Sequence, residues 1–228
     1  VYRAHEGERQ ALSAAQRAML ERYSGAVHRY LCGALRDAEA ADELFQEFCL
    51  RFLRGYFRNA SPDRGRFRDF LKTSVFHLIV DHRKRLQKQH RMLSPEIEEP
   101  GARTATESRD EFLASWREEL ITQTWLALQK FESATGQPHY TVLRYRSERP
   151  EVSSELMSQE LGTRLGKTFS VHAVRQALHR AREKFAELFL NEVACSLENP
   201  THERMEAELI DLSMIAHCRS ALDRLYRK

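Results

Sequence analysis

Apolar residues recur along this chain at intervals of three and four, the period of a helix with one buried face. Leu20, Tyr23, Val27, Tyr30 and Leu31 form the first such stripe, after ten polar residues expected to fray. A second helix is predicted from Asp37, where Asp37, Glu39, Asp42 and Glu43 place acids at the positive helix end. Its inward positions are Ala41, Leu44, Phe45, Phe48 and Phe52, and the turn cluster Asn59–Gly65 should stop it near Phe57. A third, long helix is predicted over residues 66–91, with Phe67, Phe70, Leu71, Ser74, Val75 and Leu78 inward. Periodicity lapses over residues 94–108, where two prolines and a glycine read as a flexible linker. It resumes with Phe112, Trp116, Leu120, Trp125 and Leu128, and a short segment follows at Tyr140–Arg146.

The strongest local pattern comes next. Residues 152–165 read as a capped, shorter helix, and Gly166–Phe169 as a turn. From Ser170 a long helix carries the stripe Val171, Val174, Leu178, Ala181, Phe185 and Leu188. At about 100° per residue, His172, Gln176, His179 and Arg180 fall on the opposite face, flanked by Arg175 and Arg182. This is helix-turn-helix organisation, and a helix showing His, Gln and Arg outward can lie in a DNA major groove. Taken alone, the same helix reads more readily as a solvated amphipathic one. After a break at Ser196–Pro200, one final amphipathic helix is predicted, with Met205, Leu209, Leu212, Ile215, Leu222 and Leu225 apolar.

Composition supports an all-α chain: of 228 residues 30% are charged, only 9 are Gly and 6 Pro, and no credible strand is found. The formal net charge of +3 says less than its distribution. Residues 82–91 hold a basic block without an acid, whereas residues 96–119 are acid-rich. Such a block suits a polyanion, although exposed helical charge is the ordinary alternative. The four cysteines, Cys32, Cys49, Cys195 and Cys218, lack a Cys-x-x-Cys spacing and read as free thiols, with Cys32 and Cys49 expected to be buried. No signal-peptide pattern and no apolar run long enough to span a bilayer is read, so a cytoplasmic protein without membrane insertion is expected.

Several segments in order resemble one family. The acidic helix from Asp37 to Phe48, the run from Pro62 to Thr73, and Val80 to Arg85 resemble region 2 of bacterial sigma-70 factors. Leu143 to Tyr145 and Val174 to Lys184 resemble region 4, and the whole is similar to the short extracytoplasmic-function (group IV) type. The resemblance implies two helical domains. Residues 11–91 would be a region 2-like bundle of three to four helices, 92–110 the flexible linker, and 111–195 a region 4-like helix-turn-helix domain. Residues 196–228 form a C-terminal helical extension that the minimal family pattern does not contain. That extension is expected to pack back on the region 4-like domain. A second expectation for it is regulatory, holding the two modules together or presenting a site to an inhibitory anti-sigma protein.

The resemblance further implies a transcription initiation factor, not an enzyme, with bacterial core RNA polymerase and promoter DNA as partners and no cofactor or metal. Asp42, Gln46, Glu47 and Arg51 would face the polymerase. Asn59, Arg64, Arg66, Arg68, Lys72, His77, Asp81, Arg83, Lys84 and Arg85 would line or flank the −10 strand. There cations neutralise phosphates and polar tips read bases. His77 stands where relatives often carry Asn, so the −10 preference does not transfer. Phe67 and Phe70, at helical spacing, are expected in the core rather than under a base. Ser170, His172, Arg175, Gln176, His179, Arg180 and Arg182 would meet the −35 duplex, with Gln176 a base reader. The turn Gly166–Phe169 is longer than the family's usual one, and Glu148–Ser153 departs from its usual connection.

Two other readings compete. A helix-turn-helix regulator acting without polymerase fits the C-terminal half equally well, but leaves the region 2-like half unexplained. A metal-dependent enzyme would use His77, Asp81 and His82 on one helix, yet the sequence offers no second His/Asp cluster with ligand spacing and no Gly-rich phosphate loop.

Overall fold

A computed structural model describes residues 2–54, 66–93, 105–166 and 168–227, with side chains described from Arg17 and omitted for 90–93 and 105–108. Among the described residues every regular element is a helix. In chain order these are α1 (Tyr2–Leu35), α2 (Ala38–Leu53), α3 (Phe67–Leu93), α4 (Ala105–Thr135) and α5 (His139–Glu148). They continue with α6 (Ser154–Leu165), α7 (Val171–Cys195), α8 (His202–Asp211) and α9 (Ile215–Tyr226). The chain divides into two compact units, residues 1–119 and 120–228.

In the first unit, α1 buries Tyr23, Ala26, Val27, Tyr30 and Leu31. Helix α2 starts at Asp37, whose carboxylate accepts the Glu39 and Ala40 amides at 3.0 and 3.2 Å and so satisfies two of the orphan donors of the first turn. Its buried row is Ala41, Leu44, Phe48 and Phe52; Phe45 stays half-buried, its edge against the His28 ring. Leu71, Val75, Leu78 and Ile79 are the buried apolar row of α3.

The first half of α4 completes this unit. Trp116 stacks on Tyr23 at 4.7 Å between centroids, and Phe112 meets Tyr30 edge-on at 5.2 Å. That packing puts the division between the units after Glu119, later than the expected start of a second domain at residue 111, and helix already begins at Ala105 inside the expected linker. Residues 94–104 of that linker lie outside the described residues. Gly25 sits in α1 for a related reason. A Cβ there would come within 2.1 Å of an oxygen of the buried Glu119, whose carboxylate pairs with Arg29 at 3.5 Å. A mid-helix glycine costs about 1 kcal/mol relative to alanine, and here the close carboxylate explains it.

In the second unit, Val142 and Tyr145 of α5, Met157 and Leu161 of α6, and Val174 and Leu178 of α7 share one core. Ser153 caps α6 through the Leu156 amide at 3.2 Å, and Gly166 ends it at φ +61°, a left-handed residue at no steric cost. Ser170 caps α7 through the Ala173 amide at 3.1 Å. Farther along, α7 buries a second face, Ala186, Phe189, Leu190 and Val193, and the helix also packs against α8 and α9. The sequence stripe missed this face, and Val171, Phe185 and Leu188 are only half-buried.

The single last helix expected from the sequence is two. Leu209, Leu212, Met205, Cys218 and Leu222 are buried as one apolar set, but the chain turns at Ser213, whose φ is +57°. The Met214 amide bonds to the Leu209 carbonyl at 2.8 Å and the Ser213 amide to that of Ile210 at 2.9 Å, the paired bonds of a Schellman termination. The periodicity continues across the break, so it could not reveal it. All four cysteines are free, but Cys32 and Cys49 are half-buried rather than buried; Cys195 is exposed and Cys218 buried. Desolvation raises the Cys218 thiol to about 11.

A thiol reagent at pH 8 should therefore modify Cys195 rapidly in the native chain and Cys218 only on unfolding. Mass spectrometry of the labelled peptides checks this; native labelling of Cys218 would mean that α9 does not pack as described.

Candidate nucleic-acid interface

Three helix faces carry the residues singled out above. On α2, the outward positions opposite the buried row are Gln46 and Leu50, with Glu39, Asp42, Glu43 and Leu53 beside them. Asp42 leans to one flank, 2.8 Å from His28 Nε2 on α1. Glu47 lies on the other, paired with Arg51 and, at 3.1 Å, with Arg85 of α3. Two of the expected contact residues thus already brace neighbouring helices. Leu50 and Leu53, 53% and 45% exposed, were missed by sequence reasoning. Their signal was present: both fall off the buried row, where a solvated helix would hold polar side chains.

On α3 the expected strand-lining residues do not form one continuous surface. Arg68 is 4% exposed and belongs to the interior, so it is withdrawn from the expected interface. It occupies the same side of α3 as Leu71, Val75 and Ile79. Arg83 donates to the Ala34 carbonyl at 3.3 Å, and Arg85 to Glu47, so both tie α3 to its neighbours. Lys84 and His77 lie outward, with Asp81 also exposed, while Arg66 and Lys72 are half-buried. Asn59 and Arg64 lie outside the described residues. Phe76, 37% exposed, stands edge-on to the His77 ring at 6.2 Å. It adds an accessible aromatic surface that the sequence reading passed over. Phe67 and Phe70, expected in the core, are half-buried, with Phe67 tilted against Tyr23 at 5.6 Å. Among the described residues no group of three or more His, Cys, Asp or Glu side chains is placed to hold a metal ion.

On α7 the outward row is brought together as expected. His172, Gln176, His179 and Arg180 are all exposed, with Arg175 and Arg182 on the flanks and Ser170 at the cap. Gln176 Nε2 and His172 Nε2 are 2.9 Å apart, which orders two members of the row. Arg180 and Arg182 make no ion pair with a described residue, so their charges are available. The α5–α6 connection that departs from the family pattern is braced from within. Arg146 donates to the Val152 and Pro150 carbonyls at 2.6 and 3.2 Å, and Arg149 pairs with Glu160 at 2.8 Å. Glu155 opens α6 with its carboxyl held below the usual range by its own backbone N–H, by the Ser153 hydroxyl and by the Arg175 charge.

Against known families, residues 19–89 match the model for Sigma-70 region 2. That span takes in the C-terminal part of α1, all of α2 and most of α3. The match gives the first unit a Sigma-70 region 2-like segment. No curated protein and no solved structure matches the chain. No helix among the described residues is long and apolar enough to cross a membrane.

A carboxyl depressed in the folded chain adds stability above its ordinary value of 4.5 and loses that contribution as pH falls through the depressed value. Glu155→Gln should lower the unfolding midpoint slightly above about pH 5, where the carboxylate contributes, and the two chains should converge as pH falls through the depressed value. Thermal melts of the two chains between pH 3 and 7 test it, and parallel acid limbs would count against the assignment.

Proposed function

We propose that this chain is a promoter-specificity factor of the extracytoplasmic-function type. It binds bacterial core RNA polymerase in the cytoplasm, directs it to −35 and −10 elements and helps to melt the latter. The observation that carries the reading is a coincidence within one chain. A Sigma-70 region 2 segment at residues 19–89 is followed by a capped helix-turn-helix whose long helix exposes His172, Gln176, His179 and Arg180. Either part alone fits several proteins. Together, in this order, they fit a factor that addresses polymerase with one part and duplex DNA with the other.

On this reading the outward strip of α2, centred on Gln46 and Leu50 and flanked by Asp42, Glu47 and Arg51, docks on polymerase. An exposed leucine pair beside polar groups suits a protein partner better than a nucleic acid. Lys84, His77 and Phe76, with Arg66, Lys72, Asp81, Arg83 and Arg85 around them, meet the melted −10 strand. There a ring stacks a base and ammonium groups neutralise phosphate. The α7 row enters the −35 major groove, where Gln176 reads a base edge and the arginines divide between bases and phosphates. No bond is made or broken by the factor itself; its contribution is differential binding of the open strand.

Immobilised core RNA polymerase should capture the chain saturably, and a Gln46→Ala, Leu50→Ala double variant with unchanged helicity should bind about tenfold more weakly. Absence of capture by the intact chain would favour a regulator that works without polymerase. Gln176→Ala should flatten preference at one base pair by roughly 1–3 kcal/mol, measured by competition among duplexes. Arg180→Ala should instead weaken all sequences alike and lower the salt dependence of binding.

A further inference from the structure

Glu183 continues the outward row of α7 by one turn, following His172, Gln176 and His179 at helical spacing. A carboxylate there is unexpected on a face read as meeting a polyanion, because it repels phosphate and competes for the neighbouring cations. The structure answers it from the extension. Arg224 of α9 donates to Glu183 Oε1 at 2.7 Å, and the other carboxylate oxygen stands 3.6 Å from His179 Nε2. Arg224 is itself steadied, since the same nitrogen lies 3.2 Å from Ser220 Oγ one turn earlier. Helix α9 has little freedom to carry it away, because Cys218, Ala221 and Leu222 are buried in the unit that α7 and α9 share.

We infer that Arg224 is a positioning residue for duplex readout: it neutralises and fixes the Glu183 carboxylate, which in turn aims the His179 imidazole along the recognition row. The inference rests on the proposed reading of α7 as a DNA-contacting helix. It gives residues 196–228 a role in specificity beyond covering an apolar face. His179 is 73% exposed and has no packing of its own to fix its rotamer, so a restrained carboxylate one turn away is the group available to orient it. Without Arg224 the Glu183 side chain would swing freely and place an uncompensated negative charge beside the phosphates.

The test uses the full chain with bacterial core RNA polymerase and a pool of random duplexes, sequenced after capture and compared with capture by core polymerase alone. Arg224→Ala should flatten preference roughly two- to fivefold, the range expected of an exposed ion pair, at the base pairs that His179→Ala also flattens. It should add nothing in a His179→Ala background, and Arg224→Lys, which keeps the charge, should retain most of the preference. A uniform loss across all sequences, or a loss that persists without His179, would overturn the inference and make Arg224 a phosphate contact or a general brace. If the intact chain with polymerase enriches no sequence, the premise fails and the inference with it. An enriched sequence that Arg224→Ala leaves untouched defeats the inference alone.

Discussion

Helix α7 has to bury two adjacent faces and keep its third face wet, and the second unit is arranged around that requirement. Its N-terminal half needs one apolar cover, which α5 and α6 provide around Val174 and Leu178. Its C-terminal half needs a second, because Ala186, Phe189, Leu190 and Val193 lie beside the first stripe rather than on it. Burying a large apolar side chain is worth about 1.5–3 kcal/mol. Three such chains left in water would cost more than a small helical unit can spare. Helices α8 and α9 pack on α7 and bury Met205, Leu209, Leu212, Cys218 and Leu222, so the extension is part of this unit's core.

The same economy explains which polar groups remain available. Two of the basic side chains expected to meet DNA are already engaged, Arg83 by the Ala34 carbonyl and Arg85 by Glu47, and Arg146 is likewise held by the loop before α6. Each such contact is worth about 1 kcal/mol or less at the surface, yet together they orient helices whose apolar contacts alone permit sliding. Among the described residues, Lys84 on α3 and Arg175, Arg180 and Arg182 on α7 remain outward. A net charge of +3 therefore understates the local potential at those faces.

Much of this was legible in the sequence. Helix type, the helix starts at Asp37 and Ser170, the capped helix over 152–165 and the outward row of α7 follow from periodicity and capping chemistry. What was hidden depended on tertiary partners. Arg68 looks like another strand-facing cation in a basic run, and only the packing of α3 shows that its position points inward. The break at Ser213 leaves the apolar period intact, because the αL turn returns the chain with its next buried residue still in phase. The pairing of Glu183 with Arg224, 41 residues apart, is a product of folding that no local pattern announces.

An acidic side chain on a face proposed to meet nucleic acid illustrates how such a surface would be tuned. Asp81 on α3 and Glu183 on α7 both sit among cations, but among the described residues only Glu183 of the two has a cation delivered to it from another helix. A carboxylate left unpaired near phosphate opposes every sequence equally and lowers affinity without adding discrimination. One held in place opposes only the wrong geometry, because its effect reaches the duplex through the neighbour it orients. Pairing Glu183 converts a uniform penalty into a directional restraint, and that conversion requires a scaffold stiff enough to keep Arg224 still. The buried Cys218, Ala221 and Leu222 give α9 that stiffness. The apolar burial that completes α7 is therefore also what makes the polar restraint on its outer face effective.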